Sequence, residues 1–397
     1  MVDLTDQLEN PGGTPPTVAL AHDWLVGLRG GELVLDQIAC ALADLHADIP
    51  TILTMFDTGS PLTDRLDALP RTTSGLNRSP ASLRRWLLMR YPSAVEALSR
   101  SLADLHARRP IDLLVSTSSA AIKSLRAPEG VPHLCYCHAP ARYLWSRTED
   151  YRTAGALGGL RGLGLRAFGP SLRAWDRRTA DRVDHFIANS THTQTQIQTH
   201  YGRESEVIHP PVRTDFFTPD ASTQRADALL LVSALEPYKR VDLAISGALI
   251  AGRPLTIVGT GSHERALRTH AQRAQKHHRS KHPITFAGRV DDEQLRDQYR
   301  RASAFLFPQV EDFGITSVEA QACACPVVAF RAGGALDTVL DHRTGVFFEE
   351  PTAESLADAI SNARSATLEA SAMRAHAETF SEQRFRAAIS RAIGGLL

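Results

Sequence analysis

Short apolar runs alternate with longer segments of helical spacing along most of the chain. Residues 17–21 (TVALA) form the first run, and residues 51–55, 112–116, 133–137 and 185–188 repeat it, with mostly helical segments between. This alternation predicts strands of a parallel sheet joined by helices. After the first run comes HDWLVGLRGGE and then a helix from about Glu32, whose Leu33, Val34, Ile38, Ala41 and Leu42 recur at helical spacing. Strand, glycine loop and helix make the opening unit of a doubly wound α/β domain. Gly30 and Gly31 in that loop would let backbone approach a ligand where a side chain would block it. A plain tight turn uses the same two glycines, so the motif alone leaves both readings open.

The pattern breaks at the paired prolines of residues 207–219 (VIHPPVRTDFFTP), read as an interdomain crossover. A second series follows, with strands predicted at residues 229–233, 255–258, 284–287, 305–308 and 326–330. At 397 residues the chain exceeds what one core usually supports. The expected division is a Pro/Gly-rich disordered leader (1–15), an amino-terminal domain (16–209) and a carboxy-terminal domain (210–378). Residues 379–397 hold a last helix, long enough to pack back across the first domain.

The most informative stretch is FLFPQVEDFGITSVEAQACACPVVAF, residues 305–330. It reads as strand, acidic turn, helix and strand, with the helix opening near Gly314 between Glu311 and Glu319. A helix amino terminus offers free N–H groups and partial positive charge to an anion. Carboxylates on either side can accept hydroxyl protons, so the combination suits a phosphate attached to sugars. His138 follows the run 133–137 and would stand at a strand's carboxyl end, the edge where α/β ligands bind. The turn Gly259-Thr-Gly261 lacks the third glycine of a dinucleotide fingerprint, which would fall at Glu264.

Composition narrows the function classes. Lys plus Arg and Asp plus Glu both number 44, a balance that gives no reason to expect nucleic acid as the partner. No apolar run is long enough to span a bilayer. Five cysteines, an odd number, fit reduced thiols and a cytoplasmic location. Cys135 and Cys137 beside His138, and Cys323 with Cys325, have one-residue gaps unlike zinc spacing, so buried thiols and no metal are expected. Residues 77–91 and 158–178 are basic and apolar together. They fit helices packed on their own domain with arginine outward, or interfacial helices giving peripheral association with an anionic membrane.

At Lys239, Glu311 and Glu319 the chain resembles the retaining nucleotide-sugar glycosyltransferases of group 1, family 4. The stretch from Glu311 to Glu319 has that family's Glu-x7-Glu spacing with Phe-Gly inside it, and VIHPPV, LEPYKR, FAGRV, PVVAF and GGALDTV support it. CYCHAPARYLW and HDWL with GGE look most like the subgroup that transfers mannose from GDP-mannose. The resemblance implies an α/β protein of GT-B fold: two facing Rossmann-like domains with parallel sheets and a cleft between them. It also implies that Glu311 touches the donor sugar, Glu319 accepts from the ribose, and backbone N–H groups of Phe313, Gly314, Ile315 and Thr316 meet the pyrophosphate. Lys239 would neutralise the leaving phosphate, with Gly30 and Gly31 closing on it. Val290 and Leu295 would line the base pocket, and His138 would lie against the sugar.

Implied partners are a nucleotide-sugar donor, GDP-mannose first, and a glycan or lipid-linked acceptor, with no cofactor or metal. One position departs from the family: Ala234 stands where an arginine usually joins the lysine at the pyrophosphate. Arg240, Arg289 and Arg331 are the candidate substitutes. A UDP-sugar donor (glucose or N-acetylglucosamine) is the alternative within the fold. A non-catalytic nucleotide- or glycan-binding protein is the alternative outside enzymes.

Overall fold

The computed structural model describes residues 14–80, 87–146 and 158–397, with side chains from residue 166 in the last of these. One sheet is built from β1 (Val18–Leu25), β2 (Ile52–Asp57), β3 (Arg71–Thr73), β4 (Leu113–Ser118), β5 (His133–Cys137), β6 (His185–Ala188) and β7 (Glu206–Val207). Its strand order is β3-β2-β1-β4-β5-β6-β7. The second sheet holds β8 (Leu229–Val232), β9 (Leu255–Val258), β10 (Ile284–Gly288), β11 (Ala304–Phe307), β12 (Val327–Phe330) and β13 (Gly345–Phe348). Its order, β10-β9-β8-β11-β12-β13, repeats the pattern of the first six strands. Both sheets are parallel, and each reverses its order beside its first strand, between β1 and β4 and between β8 and β11. Ligands of doubly wound sheets bind at such switch points, beyond the carboxyl ends of the strands.

The chain divides into two compact units and passes between them four times, once within β6. One comprises Met1–Cys137, Pro170–Phe186 and Arg386–Leu397; the other comprises His138–Gly169 and Ile187–Phe385. Among the described residues no helix is long and apolar enough to cross a membrane. Of the two basic, apolar segments, residues 81–86 and the side chains of 158–165 lie outside the described residues.

In the first unit β1 runs to Leu25, so His22, Asp23 and Trp24 are strand residues rather than loop. The reason is that partners on β4 and beyond it satisfy the polar side chains. His22 Nδ1 shares a 2.5 Å hydrogen bond with Thr117 Oγ1. The Asp23 carboxylate accepts from the N–H groups of Ser119, Ala120, Ala121 and Ile122 at 2.6–2.8 Å. A fully buried strand tolerates polar residues when each finds its bond. The first helix, α1 (Gly30–Asp44), opens at Gly30, not near Glu32, so Gly30 and Gly31 are its first helical residues.

In the second unit the sheet packs between two apolar layers. On one side α2 (Val241–Ile250) lies against α3 (Ala353–Ser365) so closely that a Cβ on Gly247 would come within 2.8 Å of Leu356. On the other side Phe217, Tyr299, Phe305, Phe307, Phe313 and Phe380 form an aromatic core. Cys135, Cys137, Cys323 and Cys325 are buried and form no disulfide, and burial pushes Cys135, Cys323 and Cys325 up to about 12.

Candidate functional site

Lys239 and Glu311 meet at the switch point of the second sheet. Lys239 ends a 3-10 turn (Pro237–Lys239) in the loop after β8, and Glu311 lies in the loop after β11. The lysine Nζ donates to Glu311 Oε1, and both side chains are mostly buried. Local sequence holds each loop in place. Gly259 and Gly261 press on the lysine loop: Cβ atoms there would sit 1.9 Å from the Ser233 carbonyl and 2.3 Å from that of Leu235. That packing by itself requires glycine at both positions.

The acidic loop is held from below by a second pair. Gly333 and Gly334 pack so tightly that a Cβ would fall 2.5 Å from the Glu311 carbonyl and 2.3 Å from Phe313 Cα. Gly334 N–H also donates to the Glu311 carbonyl at 2.8 Å. Asp312, buried beside Glu311, is paired with Arg142, and its carbonyl accepts from Ser190 Oγ. Neither Arg142 nor Ser190 stands out in the sequence as part of the site, although Arg142 belongs to CYCHAPARYLW. The only signal was a cation and a hydroxyl near predicted strand ends.

A helix, α4 (Ile315–Ala322), then begins with Gly314 at its N-cap in the left-handed region, φ 103°. A side chain at Gly314 would clash with the Phe307 ring at 2.6 Å, so glycine is required twice over. Phe313 turns its ring inward, 5.5 Å from His209 and 5.6 Å from Phe380. Among the described residues the backbone N–H groups of Phe313, Gly314, Ile315 and Thr316 donate to nothing. Four such donors at a helix start, with no capping side chain, are groups that can meet an anion.

Glu319 sits one turn along α4 and accepts from the Tyr299 hydroxyl at 2.9 Å. Burial pushes its carboxyl up to about 7, against the opposing pull of Tyr299 and Arg213. Arg213 pairs with Asp292 at 2.7 Å and stacks over Phe216. Val290 and Leu295 pack, half-buried, on the aromatic core that holds Tyr299 and Phe313. Only the second half of the Glu311–Glu319 interval is helical, so the two carboxylates stand on a loop and a helix respectively.

Of the remaining predicted residues, His138 follows β5 in the second unit, and its carbonyl accepts from Thr193 Oγ1 at 3.4 Å. Gly30 and Gly31 belong to the first unit. Ala234 is exposed. Among the candidate substitutes, Arg331 is committed to Asp341 and Glu349 and stacks on Phe347. Arg289 is exposed. Arg240 adjoins Lys239 in a left-handed conformation, φ 50°, that non-glycine residues rarely adopt. Among the described residues no group of three or more His, Cys, Asp or Glu side chains could hold a metal ion.

Comparison with known proteins bears on what this arrangement serves. Residues 213–379 match the model of glycosyl transferases group 1, and residues 28–216 match that of glycosyltransferase family 4. A D-inositol 3-phosphate glycosyltransferase of Catenulispora acidiphila is 32% identical over 191 residues, 42% of this chain and 45% of that protein. A GDP-mannose-dependent alpha-(1-6)-phosphatidylinositol monomannoside mannosyltransferase of Mycobacterium tuberculosis is 28% identical over 218 residues, 48% of this chain and 55% of that protein. The chain thus matches about half the length of these curated relatives. The sucrose-phosphate synthase structure from Thermosynechococcus elongatus superimposes with a TM-score of 0.69 at 19% identity, covering 96% of this chain and 98% of that one.

Proposed function

The chain belongs to the group 1, family 4 glycosyltransferases of GT-B fold, and from that premise we propose that it moves mannose from GDP-mannose onto a glycan or lipid-linked acceptor with retention of configuration. The observation that carries the reading is the set of free N–H groups from Phe313 to Thr316, beside the Lys239–Glu311 contact.

In this reading the donor's pyrophosphate takes the place of the missing helix cap. Lys239 leaves Glu311 for the phosphate, and Glu311 turns its carboxylate to the sugar hydroxyls. Glu319, already hydrogen-bonded to Tyr299, accepts from the ribose. The acceptor hydroxyl oxygen forms a bond to the anomeric carbon as the bond from that carbon to the phosphate oxygen breaks. The bonding pair stays on the departing phosphate, which takes the acceptor's proton on the same face. Fixed N–H donors and one lysine aimed at that phosphate stabilise the departing charge more than the ground state. His138 lies on the acceptor side of the sugar.

Support for guanine comes from the base end. Val290 and Leu295 offer apolar contact, and Asp292, two residues on, offers a carboxylate shared with Arg213. Guanine presents two adjacent N–H donors to such a group where uracil presents one. The name of the mycobacterial relative points the same way.

Thermal-shift titration of the wild type and Glu311→Ala with GDP, GDP-mannose, UDP-glucose and UDP-N-acetylglucosamine tests the proposal. A ligand at a hundred times its Kd stabilises the folded state by about 2.7 kcal/mol. GDP-mannose should raise the wild-type melting temperature most, and the variant should keep the GDP shift while losing mannosyl transfer. A larger shift with either UDP donor would overturn the donor, and loss of the GDP shift would overturn the sugar-end role of Glu311.

A further inference from the structure

The chain carries equal numbers of Lys plus Arg and Asp plus Glu, yet residues 263–282 break that balance with six Lys or Arg and one carboxylate, Glu264. The segment is α5 (Glu264–His277) and the loop that joins it to β10, at the edge of the second sheet. The helix buries Leu267, Ala271 and Ala274 and turns Arg265, Arg268, Thr269, Arg273 and Lys276 outward. Glu264 pairs with Arg268, and Glu236 is bonded to Ser262 at the helix's near end. Among the described residues Arg265, Arg273, Lys276, Arg279 and Lys281 have no acidic partner, and all five are exposed.

We propose that this face is a docking surface for the anionic headgroup layer of a phospholipid membrane. Three features favour a bilayer over a discrete anion or a nucleic acid. First, the cations are strung out rather than gathered. Ser262, Arg265, Ala266, Thr269, His270 and Arg273 line an open groove of about 470 Å³. Arg265 and Arg273 are eight residues apart on the helix, about 12 Å along its axis, too far to clamp one phosphate. The basic residues then continue through Lys276 and Arg279 to Lys281, suiting a plane of separate charges. Second, no exposed Phe, Tyr or Trp interleaves with them to give bases a stacking platform, and the His277 and His278 rings turn edge-to-face on each other. Third, an exposed apolar residue stands beside them. Ile250, 38% exposed, ends α2, which is joined to α5 by the Ser246 Oγ to His270 Nε2 bond at 2.9 Å. A Cβ on Gly252 would lie 3.7 Å from the His282 ring, so the end of α2 and the basic loop adjoin. Charge attraction with one shallow apolar contact is the usual basis of reversible surface binding.

This surface does not depend on the donor assigned above, and its residues are outside the site. The test is co-sedimentation of the full chain with large unilamellar vesicles of phosphatidylcholine alone or with 30% phosphatidylglycerol. The quadruple variant Arg265→Gln, Arg273→Gln, Lys276→Gln, Lys281→Gln is compared with one carrying lysine at the two arginine positions. Each cation near an anionic surface contributes comparably, so the glutamine variant, four charges fewer, should lose on the order of a thousandfold in partitioning. The lysine variant should keep it, both should melt with the wild type, and 0.5 M salt should release the wild type. Equal binding by the glutamine variant would overturn the assignment. So would equal binding to phosphatidylcholine alone, or retention by heparin or duplex DNA without binding to the anionic vesicles.

Discussion

The two sheets share one strand order, and each has a switch point where loops after its first and fourth strands come together, but the two points are finished in opposite ways. In the first unit Asp23, near the end of β1, reaches the turn after β4 and takes four consecutive backbone N–H groups. In the second, the loop after β8 sends a lysine to the carboxylate of the turn after β11, and four consecutive N–H groups beyond it are left without an acceptor. One turn carries its own anion. The other presents the same donors with no partner from the chain. Ala120, Ala121 and Ile122 are fully buried and need partners within the protein, whereas Gly314, Ile315 and Thr316 are only half-buried, so their donors can face a ligand. The open turn is therefore the one able to take the donor proposed above, and the closed one is structure.

The contrast can be broken from the closed side first, where the effect is largest. Asp23→Ala leaves four buried N–H groups and the Ser118 hydroxyl without their acceptor. The expected cost is about 3–5 kcal/mol, read as a fall of roughly 10 °C in the thermal melt. A loss below about 1 kcal/mol would mean that the carboxylate is not the cap on which the contrast rests.

A smaller effect sharpens the open side. Burial holds the Glu319 carboxyl near 7, above its ordinary 4.5. Because the folded value is the higher one, the stabilising contribution of this group is complete below pH 4.5 and is lost as pH rises towards 7. Donor hydroxyls need the carboxylate, so donor affinity should move the other way, tightening as pH rises from 6 to 8 by up to roughly tenfold. Isothermal titration across that range should show the trend in the wild type and a flat profile in Glu319→Gln. A profile unchanged by the substitution would remove Glu319 from the donor's ribose.

Much of the fold was legible because parallel strands buried on both faces leave continuous apolar runs between amphipathic helices. The limits of β1 were not, since His22 and Asp23 look like loop residues until their partners on and after β4 are known. For the same reason the sequence predicts a later start for α1 than the structure has: glycines suggest a loop, yet Gly30 and Gly31 are helical here. At the candidate site the chemistry-bearing side chains of the 305–330 stretch and Lys239 stand out by type and spacing. What spacing does not encode is who touches whom. The Lys239–Glu311 contact, Tyr299 on Glu319, and Arg142 and Ser190 on Asp312 join residues 20 to 170 positions apart. Gly259 and Gly261 show the converse: in a phosphate-like motif, the close packing of two loops already requires both glycines.

The central claim is that the start of α4 is an open anion site whose counterpart in the first unit is closed. Amide resonances of the selectively labelled protein, recorded with and without GDP, test it most directly. The account predicts large shifts for Phe313, Gly314, Ile315 and Thr316 and none for Ser119 to Ile122. Unmoved resonances from Phe313 to Thr316 at saturating nucleotide would contradict it.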